Sequence, residues 1–207
     1  RLLPMARRLR RQCQALSPER TRKSGETSGP DIDLDRLIRF LAERRDSERP
    51  GLLLGVLAAD CAPIVLCDPH NGVIAAIHAG WRGAVGGVIE SAVEAMIQLG
   101  ADPGKTAAGV GPCLSQSSFE VGPDLADAVL DATPWAETLF EAGEGDRQFF
   151  DLKRYCLGRL GRMGVAHMDA LTDDTLTQPD LYFSHRASVK AGDRDCGRNM
   201  TGIMLIA

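Results

Sequence analysis

The sequence predicts an α/β or α+β domain, and three observations lead to this fold class. Short apolar runs typical of strands alternate with segments whose apolar residues recur at helical spacing. Glycine, proline and asparagine separate these segments, as expected of turns. The length of 207 residues, with 44% hydrophobic and 25% charged residues, suits one globular domain with or without an appendage.

The composition of the chain changes near residue 49. Residues 1–48 are rich in arginine, and within them the stretch 33–41 has apolar residues at helical spacing, which predicts a short surface helix. From residue 49 onward the apolar pattern becomes dense and regular. We therefore predict two parts, an atypical Arg-rich segment over 1–48 and a folded domain over 49–207.

Three apolar runs open the predicted domain. The run 51–58 is continuous, which is typical of a strand buried on both faces. The runs 63–67 and 73–78 are separated by a turn that contains Asn71 and Gly72, a pair that favours hairpins. These two runs are therefore predicted to form an antiparallel hairpin.

The later elements follow from the same periodicities. Gly100 and Gly164 each follow a run of helical spacing, as expected of glycines that end helices. Tyr182 and Phe183 are predicted to lie in a strand. The other predicted elements are a helix that ends at residue 99, a strand over 105–110, helices over 123–131 and 151–163, and strands over 166–171 and 202–206.

Charge and hydropathy exclude two classes of partner. The net charge of −4 argues against a general nucleic-acid binder, because such proteins concentrate positive charge. No apolar run approaches the roughly 20 residues that span a bilayer, and the basic start lacks the apolar stretch of a secretory signal. Six scattered cysteines without a CxxC pair are typical of reduced thiols. We therefore expect a cytoplasmic protein.

Cys61 and His78 are the first candidate functional residues. Each lies where an apolar run ends, and the predicted hairpin returns the chain so that the two run ends meet. Thiolate and imidazole are both good zinc ligands. A buried thiol and a hydrogen-bonded histidine are the alternatives, and spacing alone leaves them open.

Three further motifs carry candidate residues. In HAGWRG, Arg82 could bind phosphate before a helix, or the motif could be a tight turn with Trp81 in the core. In GVGPCL, Cys113 is either exposed at a strand end or an inert thiol. In YFSHR, Arg186 is either a phosphate ligand or a surface charge. His185 is either a ligand or base or an ordinary polar residue, and the second interpretation is favoured.

Five segments together resemble one family. They are RPGLLLGVLAADCAPIVLCD, GVIAAIHAGWRGAVGGVIESAVEAM, GVGPCLSQSSFEVGPDL, FFDLKRYCLGRLGRMGV and DTLTQPDLYFSHR. They resemble the laccase-like polyphenol oxidoreductases, whose members are regarded as zinc-dependent purine nucleoside phosphorylases, often with adenosine deaminase activity. The resemblance begins near Arg49, and it implies mixed β-sheets flanked by helices. It also implies cleavage of purine nucleosides by phosphate to free base and ribose 1-phosphate.

The resemblance also implies site residues. The family holds zinc with two histidines and one cysteine, and Cys61 and His78 match one ligand of each type. The other histidine lies upstream in the family and has no counterpart here, because no histidine precedes His70. Chemistry and position, rather than the resemblance, make Arg82 our candidate to stabilise phosphate or developing negative charge, and Cys113 and Arg186 lesser candidates for the substrate pocket.

Three explanations for the missing ligand stay open. The start of the chain could be misframed or truncated, the protein could have lost the site, or the ligand could come from Cys13, His185 or a partner chain. A missing start would also leave an exposed sheet edge. Two rival functions follow, a catalytically impaired homologue that acts as an interaction protein and a thiol hydrolase using Cys61 and His78. Four histidines without an HxH pair argue against a multicopper oxidase.

Overall fold

The computed structural model of the protein describes residues 51–206. The predicted helix over 33–41 and the predicted boundary near residue 49 lie outside this range. The strands are β1 (Leu53–Ala58), β2 (Ala62–Asp68), β3 (Val73–Ala79), β4 (Ala107–Val110), β5 (Glu120–Val121), β6 (Phe140–Ala142), β7 (Gln148–Phe150), β8 (His167–Ala170) and β9 (Asn199–Met204). The α-helices are α1 (Trp81–Val85), α2 (Val88–Gln98), α3 (Pro123–Ala132), α4 (Leu152–Arg162) and α5 (His185–Ala191). Short 3₁₀ turns cover Pro103–Lys105, Gln116–Ser118 and Pro134–Leu139.

Three sheets are present in the described range. A four-stranded sheet has the order β3-β2-β4-β8, a two-stranded ribbon pairs β1 with β9, and a small sheet has the order β5-β7-β6. The predicted hairpin is confirmed, with β2 and β3 antiparallel and Ile64 opposite Ile77. Because β4 and β8 are parallel while the other pairs are antiparallel, the fold is the mixed α/β arrangement that was expected.

The main core covers one face of the hairpin. Ile64, Leu66 and Ile77 point to this face and are almost wholly buried against α2 and α4. Full burial of such side chains contributes about 1.5–3 kcal/mol each. Phe150 and Tyr155 extend the core toward the small sheet, with their ring centroids 5.5 Å apart in an edge-to-face arrangement.

The ribbon covers the other face of the hairpin, and it corrects one prediction. The run 51–58 was expected to be buried on both faces, but β1 alternates between exposed and buried residues. Leu54 and Val56 pack on Ala76, whereas Leu53 and Leu57 are 37% and 55% exposed. An apolar run in the sequence does not show whether one or both faces of the strand are buried. In the described residues, the β1–β9 ribbon is covered on one face.

Two further predictions differ from the structure. One helix was expected between Gly83 and residue 99, but there are two, α1 and α2, because Gly87 adopts φ +92° between them. Tyr182 and Phe183 do not lie in a strand. They precede α5, where Ser184 Oγ accepts a hydrogen bond from the Ala187 N–H as the N-cap.

The helices with clear start and stop signals agree with the structure. The α3 helix begins at Pro123, and α4 begins after Asp151, whose side chain accepts a hydrogen bond from Arg154 N at 2.9 Å. Gly164, at φ +81°, follows α4 as expected. Within residues 51–206, no helix is long and apolar enough to cross a membrane.

Candidate functional site

Asp60 organises the loop that follows β1. It is the one non-glycine residue of the described range with positive φ, at 82°, a conformation that aspartate tolerates better than most residues. Its carboxylate accepts hydrogen bonds from Thr175 Oγ1 at 2.7 Å and from Arg186 N at 2.6 Å. Its carbonyl oxygen accepts from Leu114 N at 3.1 Å. This buried residue therefore ties three distant segments to the position next to Cys61.

The hairpin brings Cys61 and His78 to neighbouring positions. His78 lies opposite Pro63 and Ala79 lies opposite Ala62, so Cys61 comes opposite Gly80 at the same end of the sheet. A Cβ atom on Gly80 would stand 2.9 Å from Cys61 Sγ. The thiol therefore occupies the space beside Gly80, next to the end of the strand that carries His78.

Hydrogen bonding and burial determine the protonation states of His78 and Cys61 at neutral pH. His78 Nδ1 lies 2.9 Å from Leu57 O and must donate to it, which leaves Nε2 as the unprotonated nitrogen of the neutral ring. Burial lowers the pKa of His78. Burial and the Asp60 charge raise the pKa of the Cys61 thiol, opposed by Arg198. The pair is therefore an imidazole and a thiol at neutral pH, and a metal would have to displace the thiol proton.

The described residues do not complete a metal site. Within residues 51–206, no group of three or more His, Cys, Asp or Glu side chains is placed to hold a metal ion. A catalytic zinc normally uses three protein ligands, so Cys61 and His78 supply two at most. His185 lies instead with its Nδ1 3.9 Å from Cys196 Sγ.

A cavity of about 700 Å³ opens beside Cys61. This volume is in the range of small-molecule sites. Its wall combines aromatic faces with cationic groups on a mainly apolar lining, and among the lining residues are Trp81, Phe119, Phe149, Arg147, Arg186 and Lys190. The arrangement can hold a flat ring and an anionic group in one space.

The structure separates the predicted site residues into two sets. Cys61 and Arg186 line the cavity. Arg82 does not line it; this exposed side chain places its guanidinium carbon 4.4 Å from the centroid of the Trp81 ring. Cys113 is fully buried in the core, and burial raises the pKa of its thiol to about 12. Cys113 thus has the environment of an inert thiol.

Arg186 joins the two sides of the cavity. Its backbone N–H donates to Asp60, and its Nη1 donates to Ser118 O at 3.0 Å and to Glu120 O at 2.9 Å. Its guanidinium carbon lies 5.2 Å from the centroid of the Phe119 ring. These contacts link α5 both to the Cys61 loop and to the cavity wall.

Asp174 is a residue whose role the sequence did not reveal. Its Oδ2 accepts hydrogen bonds from Ser115 Oγ and Ser118 Oγ, each at 2.5 Å. Burial alone would raise the pKa of Asp174, but these two hydroxyls and the Leu176 N–H lower it. Because more than fifty residues separate Asp174 from both serines, no local sequence pattern could have indicated the contact.

Comparison with known proteins gives one family and several relatives. Residues 46–206 match the family model described as multi-copper polyphenol oxidoreductase laccase. The purine nucleoside phosphorylase ORF3 of Streptomyces griseus is 38% identical over 172 residues, which is 82% of this chain and 63% of that protein. A purine nucleoside phosphorylase of Deinococcus radiodurans is 49% identical over 143 residues, which is 69% of this chain and 55% of that protein.

Solved structures share the fold. The Neisseria meningitidis protein NMB0706 has a TM-score of 0.67 and 33% identity, covering 75% of this chain and 61% of that one. YlmD from Geobacillus stearothermophilus has a TM-score of 0.69 and 25% identity, covering 77% of this chain and 59% of that one. The chain spans less than two thirds of the length of these four proteins.

Proposed function

The chain belongs to the multi-copper polyphenol oxidoreductase laccase family, and we propose that it acts as a purine nucleoside phosphorylase. Such an enzyme cleaves a purine nucleoside with phosphate to give the free base and ribose 1-phosphate. Relatives that bear this name are 38% and 49% identical to the chain. The observation that carries the proposal is the cavity beside Cys61, at the end of the hairpin that also bears His78.

The cavity offers surfaces suited to both substrates. Phe119 and Phe149 are aromatic lining residues, and a purine base would pack against them in this proposal. Lys190 and Arg147 supply positive charge for phosphate, although Arg147 also pairs with Glu120 at 3.6 Å. A bound substrate would displace water from this mainly apolar lining, and the attraction between these cations and an anionic group would then strengthen.

We further propose zinc as the cofactor, with Cys61 and His78 as two of its ligands. The neutral His78 ring with its Nδ1–H held by Leu57 O supports this assignment, because such a hydrogen bond orients a metal-binding histidine. The third ligand would come from outside residues 51–206 or from a partner chain, since the described residues complete no metal group. A bound zinc would supply polarisation of a substrate group, or of water for a second reaction, adenosine deamination.

Two proposals come from the sequence alone. One is a cytoplasmic location, and the other is that Arg82 interacts with phosphate. Arg82 is exposed, has no ion-pair partner among the described residues and does not line the cavity, so its charge would attract phosphate from beside the cavity, near Trp81. Cys113 would reach a substrate only if the core around it opened, so we assign it no contact.

The test is a turnover assay with matched variants. Metal-quantified protein is incubated with adenosine, with and without phosphate, and adenine, inosine and hypoxanthine are separated by chromatography. We expect phosphate-dependent release of adenine that is lost in Cys61→Ala and His78→Ala. Cys67→Ala and His70→Ala are the matched controls, because these side chains lie elsewhere on the hairpin and should leave turnover unchanged. Full activity in Cys61→Ala would contradict the proposed site.

A second candidate function is a catalytically impaired homologue that binds partners without turnover. The incomplete ligand set within residues 51–206 favours it. Zinc analysis of folded protein separates the two, since the impaired homologue would hold no stoichiometric zinc and release no base. A thiol hydrolase is disfavoured, because the raised pKa of Cys61 opposes the thiolate that such an enzyme needs.

A further inference from the structure

We propose that Arg186 is a positioning residue that fixes the Phe119 wall of the cavity and thereby helps to set which nucleosides fit. The part of this inference that concerns nucleosides rests on the proposed function. The part that concerns the wall rests on geometry alone.

The first argument is the pair of carbonyl groups that Arg186 holds. Its Nη1 donates to Ser118 O and Glu120 O, the residues on either side of Phe119. The backbone of Phe119 is thus held at both ends by one guanidinium group. Because hydrogen bonds from a charged donor are stronger than neutral ones, this contact restrains the chain more than an ordinary turn would.

The second argument is the weakness of the wall without this contact. Strand β5 has two residues, and its register with β7 consists of Glu120 opposite Phe149 and Val121 opposite Gln148. So short a strand gains little from pairing alone. Phe119 itself has one backbone bond on each side, from its N–H to Gln116 O and to its carbonyl from Phe150 N, each at 3.0 Å. The Glu120 side chain has only long contacts, with Arg147 at 3.6 Å and Glu144 N at 3.5 Å, so the bond from Arg186 to the Glu120 carbonyl is the short side-chain contact on this backbone.

The third argument is the position of Arg186 relative to the site. Its backbone N–H donates to the Asp60 carboxylate, next to Cys61, while its guanidinium packs near the Phe119 ring. Arg186 therefore joins the Cys61 loop to the aromatic wall directly, whereas the other link runs from Asp60 through Thr175 and its neighbour Asp174 to Ser118. A phosphate ligand would need no bond to either carbonyl, so these contacts point to positioning.

The first experiment measures amide hydrogen exchange in the full chain. In Arg186→Gln we expect the amides of residues 118–121 to exchange at least about tenfold faster, because both charge-assisted bonds are lost. Arg186→Lys keeps the charge and should retain part of the protection, and it also serves if the glutamine variant does not fold. The control is Arg162→Gln, whose guanidinium packs on Trp135 at 4.8 Å. Unchanged exchange at 118–121 in the folded variants would overturn the proposal.

The second experiment separates positioning from phosphate binding. Calorimetry with adenosine, with N6-benzyladenosine and with inorganic phosphate is run on wild type and both variants. We expect weaker adenosine binding, a smaller preference for adenosine over the bulky analogue, and unchanged phosphate binding. Loss of phosphate binding alone would assign Arg186 as a phosphate ligand and overturn the proposal. A wild type that binds no adenosine would instead refute the proposed function, and the exchange result would still decide the role of Arg186 in the wall.

Discussion

The two faces of the β2–β3 hairpin are covered in different ways. On one face, Leu66 and Ile77 are buried within the main core that includes α2 and α4. On the other face lies the β1–β9 ribbon, whose own outer face keeps Leu53 and Leu57 exposed among the described residues. Most of the buried apolar side chains of the described residues therefore lie on the helix-covered side of the hairpin.

The two candidate metal ligands, Cys61 and His78, are held in place by different parts of the fold. Cys61 follows Asp60, which is held by hydrogen bonds from three other segments. His78 is held through its Nδ1 by Leu57 O, an atom of the ribbon. A change in the ribbon should therefore move the histidine while leaving the thiol in place.

The largest effect is expected when one leucine on the helix-covered face of the hairpin is compared with one on the outer face of the ribbon. Leu66 is 0% exposed and Leu57 is 55% exposed. We expect Leu66→Ala to lower the free energy of unfolding by about 2–5 kcal/mol, because it leaves a cavity in the main core. Leu57→Ala should cost less than about 1 kcal/mol. Urea denaturation measures both, and equal losses would mean that the outer face of the ribbon is covered as fully as the helix-covered face of the hairpin.

A smaller loss of stability is expected when a hydrogen bond to Asp60, the residue before Cys61, is removed. Thr175→Val removes the hydroxyl that donates to Asp60 Oδ1 and leaves a buried carboxylate oxygen short of a partner. The expected loss in the free energy of unfolding is about 1–3 kcal/mol, together with faster alkylation of Cys61 by iodoacetamide. The exposed Thr177→Val is the control. Alkylation at the wild-type rate would show that Asp60 does not depend on Thr175.

Acid should weaken the far end of the same hairpin. The Asn71 side-chain amide and the N–H groups of Asp102, Asn71 and His70 lower the pKa of Asp68 from its ordinary 3.8 to about 2, despite its burial. A lowered pKa in the folded state stabilises the protein above pH 4 and ceases to do so as the pH falls to 2. The difference in urea midpoint between wild type and Asp68→Asn should therefore shrink from pH 5 to pH 2. A constant difference would assign the effect to packing.

The smallest effect on stability is expected on the outer face of the ribbon. Leu57→Thr keeps a residue that favours strands and should change the free energy of unfolding by less than about 0.5 kcal/mol. It should nevertheless reduce association at high protein concentration, because it removes exposed apolar surface. Light scattering over a concentration series measures this. Unchanged association would show that the outer face makes no contacts between molecules.

The sequence predicted the elements whose signals are local. The hairpin, α3 and α4 each have a clear period and terminal residues that favour a start or a stop, and they appear where expected. The small β5-β7-β6 sheet was missed, because strands of two or three residues show no period. Coverage of one ribbon face was also missed, since it depends on what packs against the strand.

Only part of the candidate site could be predicted in the same way. Asn71 and Gly72 indicated the turn between β2 and β3, so the sequence predicted that Cys61 and His78 lie near each other. Arg186 contacts Asp60, which is 126 positions away, and Ser118, which is 68 positions away. Contacts between such distant residues leave no local pattern in the sequence. Its chemistry and position in the sequence made Arg186 a pocket candidate, and the structure adds which groups its side chain contacts.

The contact between Gly80 and Cys61 has a consequence for how these two positions can vary. A Cβ atom added to residue 80 would lie 2.9 Å from the sulfur of Cys61, which is too close for both atoms to fit. A library randomised at position 80 and selected for thiol reactivity should return glycine. When both positions are randomised, larger residues at 80 should return only with a smaller residue at 61. The two sites would then vary as one coupled unit.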